Sequence, residues 1–200
     1  MPSIGIIGSG QIGTAIATAL ARNGIPATLS NSRGPESLKD AINALGSSII
    51  AGTREEAASK DIVIVAVNWS KLPEALKGLP NFDERIVIDA NNPIEAPLFK
   101  PADLHERSSS EVFVDLVPGA RVVKTFNHLQ PHLVAGDPAS NGGKRVLFFS
   151  GDDGSAKAEV GRLIDRLGFF GIDLGDLSLG TRLAQYPGGA LPGLELIKIG

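Results

Sequence analysis

Near the amino end, Gly8-Ser9-Gly10-Gln11-Ile12-Gly13 forms the pattern G-x-G-x-x-G. It follows the apolar run Ile4–Ile7 and opens a helical pattern at Gln11. In that setting Gly8 allows a tight turn, Gly10 lets a pyrophosphate approach the backbone, and Gly13 lets helix and strand pack closely. The free N–H groups at the helix start then face the phosphates. Ser9, Gln11 and Ile12 complete the loop, and dinucleotide binding is the expected chemistry. A nucleoside-triphosphate loop is excluded, because Thr14 stands where its lysine would be needed.

The end of the second apolar run discriminates between dinucleotides. An NAD-binding chain usually carries Asp or Glu there for the ribose 2′-hydroxyl. Here the residues are Ser30-Asn31-Ser32-Arg33-Gly34, with no carboxylate among them. Ser32 can donate a hydrogen bond and Arg33 can pair with a 2′-phosphate dianion. NADP(H) is therefore expected over NAD(H).

Three further segments stop being apolar where a parallel strand would end: Val67-Asn68-Trp69, Asn91-Asn92-Pro93 and Thr125-Phe126-Asn127-His128. Ligands in open α/β sheets bind outside the carboxyl ends of the strands. Val67 and Asn68 are expected beside the cofactor. Asn127 is expected next to the reacting rings, with Trp69 and Asn92 across the crevice. No metal site is expected: Pro131 separates His128 from His132 and no glutamate accompanies them. His105 lies in a charged stretch, and Asp153 reads as a helix cap.

Strands and helices must alternate to place these segments. Strands are expected at 4–7, 27–30, 47–50, 62–67, 85–89, 121–126, 146–150 and 169–174. Helices are expected at 11–23, 36–45, 54–59, 71–77, 111–117 and 156–167. The run Ile62-Val63-Ile64-Val65-Ala66-Val67 has no polar alternation, which suits a strand covered on both faces. The fold class is α/β: a Rossmann-like, doubly wound, mainly parallel sheet in three αβα layers. One domain over 1–200 is expected, with 91–101 as a loop crossing between the halves of the sheet and an irregular tail at 175–200.

Composition bounds the partners. Leu, Ile, Val and Phe make up 60 of the 200 residues, enough for a packed core. The 19 basic and 22 acidic residues leave a net charge of −3, so no nucleic-acid footprint is indicated. Cysteine is absent, which removes disulfides, thiolate nucleophiles and cysteine metal sites. The run 62–67 is far too short to span a bilayer, and the start lacks a basic leader. The expectation is a cytoplasmic protein, without membrane or nucleic-acid partners, acting on a small-molecule hydride acceptor, with a homodimer as the candidate assembly.

The chain resembles the NADP oxidoreductase, coenzyme F420-dependent, family. The resemblance rests on residues 4–13, on Asn31-Ser32-Arg33-Gly34, on Val122-Val123-Lys124-Thr125-Phe126-Asn127, on Ser150-Gly151-Asp152-Asp153 and on Gly188-Gly189-Ala190-Leu191-Pro192-Gly193-Leu194. It implies reversible hydride transfer between NADPH and a deazaflavin, coenzyme F420, or a flavin. It also implies an NADP pocket at Ser9, Gln11, Ile12, Ser32 and Arg33, and a nicotinamide–deazaflavin region at Val67, Asn68, Trp69, Asn92 and Asn127. Two places depart from the family pattern. Asn127 stands where deazaflavin-reducing members carry a histidine, and a Pro-Gly-Gly tail from Pro187 replaces their C-terminal helical stretch. Two other readings stay open: an NADPH-dependent reductase of a small carbonyl or imine, and an NADP(H) redox sensor without turnover.

Overall fold

The computed structural model describes residues 2–95 and 99–200. Eight strands form its central sheet: β1 (Ile4–Ile7), β2 (Ala27–Ser30), β3 (Ile49–Ala51), β4 (Ile62–Val65), β5 (Ile86–Asp89), β8 (Arg121–Thr125), β10 (Gly143–Gly151) and β11 (Phe170–Asp173). Between β5 and β8 lies a small antiparallel pair, β6 (Ile94–Glu95) and β7 (Lys100–Pro101). β9 (Ala139–Ser140) and β12 (Ile197–Ile199) flank the start of β10. The helices are α1 (Gln11–Arg22), α2 (Lys39–Leu45), α3 (Arg54–Ala58), α4 (Leu72–Leu76), α5 (Ser109–Val114), α6 (Pro131–Ala135), α7 (Gly154–Arg166) and α8 (Leu177–Ala184).

The sheet order is β11-β10-β8-β5-β4-β1-β2-β3. From β3 to β8 all pairings are parallel, with Ile4 registered against both Ala27 and Ile62. This is the doubly wound α/β architecture. Periodicity explains its core. Ile62 and Ile64 join Ile4, Ile6, Ile16 and Leu20 under α1, while Val63 and Val65 join Ile7, Leu72 and Phe113 on the opposite face. Gly5 faces α3, where a Cβ would lie 2.0 Å from the Ala57 carbonyl oxygen. Only glycine allows that helix to sit so close.

The structure corrects four expectations. The crossing between the halves of the sheet is made by 52–61, which carries α3 from the edge strand β3 back to β4; residues 91–101 join the neighbours β5 and β8. Pro97, one of the prolines in that stretch, lies outside the described residues. β10 starts at Gly143 and runs antiparallel to β8. The expected helix 36–45 is a 3-10 turn at Pro35–Leu38 followed by α2. The tail is not irregular throughout: Asp176 caps α8, accepting from the Leu179 N–H at 2.7 Å, and Leu177, Gly180, Thr181 and Ala184 form its buried stripe. Asp153 caps α7 as expected, accepting from Ala156 N–H at 2.7 Å. Among the described residues, no helix is long and apolar enough to cross a membrane.

Candidate functional site

The carboxyl end of β1 meets the amino end of α1 at Gly8–Gly13. Gly8 has φ +112°, and a Cβ there would lie 2.2 Å from the Ala66 carbonyl oxygen. A Cβ on Gly13 would lie 1.9 Å from the Gly8 carbonyl oxygen. The protein itself therefore requires both glycines. Gly10 differs: a Cβ there would meet no atom within 4 Å, and its φ of −73° and ψ of −170° suit any residue. The space above Gly10 is open to a ligand.

The same helix start is uncapped by any side chain. By contrast, Thr53, Ser108, Asp153 and Asp176 cap α3, α5, α7 and α8. The first N–H groups of a helix need acceptors and carry partial positive charge. At α1 they border a cleft of about 840 Å³ lined by Gly8, Ser9, Gly10, Asn31, Ser32, Arg33, Val67 and Asn68. Asn31 builds the far rim. Its Oδ1 accepts the Arg33 N–H at 2.9 Å, and its Nδ2 reaches Ser37 Oγ at 2.9 Å and Ser9 Oγ at 3.3 Å. This links the Ser32–Arg33 turn to the glycine loop. Among the cations on these walls, Arg54 is engaged by Glu55 at 2.7 Å, while Arg33 is exposed.

A second groove, about 730 Å³, lies on the other side of Gly10 between α1 and α6. Gln11 lines it, with Thr14, Gln130 and His132. Ile12 is half-buried against the core beneath α1.

The residues expected near the reacting rings separate into two groups. Asn92 and Asn127 are brought together, not placed on opposite walls. Asn92 Nδ2 donates to the Asn127 carbonyl at 2.7 Å, and Asn127 Nδ2 donates to Asn92 Oδ1 at 3.0 Å. Asn127 Nδ2 also reaches the Ala184 carbonyl at 2.8 Å, and the Tyr186 N–H reaches Asn92 Oδ1 at 3.0 Å. The pair thus clasps the ends of β5, β8 and α8 together. Phe126, fully buried with φ +66°, turns the chain into this clasp. A bulky residue in the left-handed region is strained by about 1–2 kcal/mol. Trp69 opens a single 3-10 turn and packs, half-buried, against the apolar cluster beneath α4. Val67 and Asn68 line the cleft.

One group went unnoticed in the sequence. Lys124 and Asp89 face each other in register on neighbouring strands, both fully buried, with Nζ 2.9 Å from Oδ2. Burial pushes the Lys124 ammonium below the ordinary lysine range, and the Asp89 carboxylate only partly opposes this. The findable signal was a charge of each sign directly after an apolar run, Asp89 after Ile86–Ile88 and Lys124 after Val122-Val123.

His128 is also sealed. Its ring packs against Phe148 at 4.9 Å, and neither ring nitrogen has a hydrogen-bond partner. Burial lowers its pKa from 6.5 to about 4, with the Val146 backbone beside it opposing weakly. The unfolded chain therefore binds more protons between these values. Stability is full above pH 6.5 and falls on acidification, by about 3 kcal/mol at pH 4. Urea midpoints from pH 4 to 7 should show this slope and lose it in His128→Phe; a flat wild-type profile would mean that water reaches the ring.

The sequence profile described as NADP oxidoreductase, coenzyme F420-dependent, matches residues 3–93, from β1 through the end of β5. A hypothetical protein of Sinorhizobium meliloti has the same structure at TM-score 0.94, with 40% identity over 99% of this chain and 96% of that one. A proposed F420-dependent NADP reductase of Arthrobacter sp. FB24 is 27% identical, with TM-score 0.68, over 88% of this chain and 86% of its own. Over residues 3–93 the chain is similar to this family of NADP-dependent oxidoreductases. Metalloreductase STEAP3 of Rattus norvegicus is 26% identical over 96% of this chain, which spans 37% of that protein's length. The matched segment contains the glycine loop, the Asn31–Gly34 turn and both Val67 and Asn92.

Proposed function

We propose that the protein binds NADP(H) across Gly10 and transfers hydride between it and a deazaflavin or flavin-like acceptor. The observation that carries this is the open space at Gly10 beside an uncapped helix start and an exposed Ser32–Arg33 turn. Gly8–Gly13 would hold the pyrophosphate through backbone N–H groups. Ser32 and Arg33, pinned by Asn31, would hold the 2′-phosphate. Val67 and Asn68 would bound the nicotinamide half, with the Asn92–Asn127 clasp as the rigid end of the crevice. NADPH, when bound, supplies a hydride. The residues supply orientation and exclude water.

Acceptor class follows from which groups reach the crevice. Val67, Asn68, Asn92 and Asn127 do not titrate, Lys124 and His128 are sealed, and Lys71 on the cleft wall is exposed and paired with Glu74 at 3.8 Å. Hydride exchange between two flat rings needs stacking and a fixed distance, with no protein acid. Reduction of a carbonyl or imine would want a positioned donor. The name of the Arthrobacter relative supports the same acceptor.

Purified protein mixed with NADPH should reduce a deazaflavin faster than quinones or simple carbonyls. Tight NADPH binding without turnover of any acceptor would favour the sensor, and turnover of carbonyls or imines alone would overturn the flavin-like assignment. The cofactor half has its own test. Arg33→Ala removes a charge-assisted contact worth about 1.5–3 kcal/mol, so NADP(H) should weaken by roughly 10- to 150-fold. NAD(H) affinity should barely move. Equal losses for both in a fluorescence titration would remove Arg33 from the pocket.

A further inference from the structure

We propose that Lys124 is a positioning residue that sets, through Asn91, both the Val67 and the Asn92 sides of the crevice. The inference rests on the NADP(H) reading above. The Lys124 ammonium donates to Asp89 Oδ2 at 2.9 Å, to Ser109 Oγ at 3.3 Å, and to the Asn91 carbonyl. Its three N–H bonds are all used. Asp89 is equally engaged. Its Oδ2 also accepts from Ser110 Oγ at 2.7 Å, and its Oδ1 accepts from the Asn91 backbone N–H at 3.0 Å and from Asn91 Nδ2 at 2.8 Å. The remaining atom of the Asn91 amide, Oδ1, faces outward and accepts the Val67 N–H at 2.9 Å.

The consequence is geometric. Asn91 is held at three points by the ion pair, so its amide has one orientation, and that orientation fixes the Val67 peptide at the cleft wall. The Val67 side chain in turn packs at Gly8, where its Cγ1 lies 2.8 Å from the place a Cβ would take. The ammonium also holds the Asn91 carbonyl inward. That sets the peptide leading to Asn92 and hence the clasp with Asn127. A buried ion pair is seldom more stabilising than a well-packed apolar pair. What the pair adds here is direction: three of its bonds fix Asn91 just past the end of β5, and the others anchor it to Ser109 and Ser110 on α5.

Two variants separate positioning from stability. Asp89→Asn with Lys124→Met removes both charges at nearly constant shape. Asn91→Leu removes the Val67 acceptor and the Asn91 Nδ2 bond to Asp89, and leaves the Lys124–Asp89 ion pair. Both should fold and bind NADPH within about threefold of wild type, since the phosphate and 2′-phosphate contacts are untouched. In the ligand-free protein, amide exchange at Val67 should rise about tenfold or more, in Asn91→Leu because its acceptor is lost and in the double variant because Asn91 is no longer held in one orientation. The fluorescence of bound NADPH should move toward that of free NADPH, reporting a loosened ring. With the acceptor that wild type reduces, kcat should fall about 10- to 100-fold while the KM for NADPH holds. Unchanged Val67 exchange and ring fluorescence, with only a lower melting temperature, would make the network purely structural and overturn the inference. Wild-type protein that fails to bind NADPH would overturn the underlying reading, and this inference with it.

Discussion

Gly10→Val is expected to abolish NADP(H) binding while leaving the fold intact. The three glycines of the loop are glycine for different reasons. At Gly13 a Cβ would strike the Gly8 carbonyl at 1.9 Å, and at Gly8 the backbone is left-handed, so substitutions there should cost fold and binding together. At Gly10 the backbone is extended and the protein has room. A valine there loses only part of a helix cap, at most about 1 kcal/mol. Its methyl groups would occupy the volume the pyrophosphate needs and shield the free N–H groups of α1. Affinity should fall at least about 100-fold, which corresponds to roughly 2.7 kcal/mol. Thermal melting paired with NADPH fluorescence titration reads both quantities at once. A Gly10→Val protein that melts like wild type and binds NADPH equally well would place the dinucleotide elsewhere.

The elements carrying this loop were legible because their physics is local. Ile4–Ile7, the glycine pattern and a helix ending at Asn23 occur in immediate succession, and the structure places β1 and α1 there. The Ile62–Val67 run was readable as a two-sided strand because neither face has a polar residue to expose, and the structure keeps Ile62–Val65 of it as β4. What could not be read depended on distant partners. The direction of β10 is one such case: it lies antiparallel to β8 and parallel to β11, a strand some 20 residues further along the chain.

The tail was hidden by its glycines and prolines, although Asp176 followed by Leu177, Gly180 and Ala184 carries a cap and a helical stripe. At the site, sequence order located the polar strand ends but not their mutual bonds. Asn92 and Asn127 stand 35 positions apart, and nothing local says that each would satisfy the other. Lys124 was passed over for a similar reason. A lysine within an apolar run reads as an edge or surface residue until Asp89 is known to lie beside it.

That pair yields the largest stability effect expected of a single substitution here. Lys124→Met would leave the Asp89 carboxylate buried with no compensating charge, which typically costs about 3–5 kcal/mol. Against the 5–15 kcal/mol of a typical domain, that is a large share. For a chain of this size each kcal/mol moves the midpoint by about 2–4 °C, so the melting temperature should drop by roughly 6–20 °C. Adding Asp89→Asn removes the stranded charge, and most of the loss should return, because the amide can still accept from Asn91 and donate to Ser110. The pH dependence provides an independent check on sign. Burial lowers the Lys124 pKa in the folded protein, so above that lowered value the unfolded chain binds the extra proton. Wild-type stability should therefore rise as pH climbs toward the ordinary lysine value of 10.5, and this slope should be missing from both variants. Single and double variants of equal stability, or a wild-type slope of opposite sign, would mean that Asp89 and Lys124 do not meet as a buried ion pair.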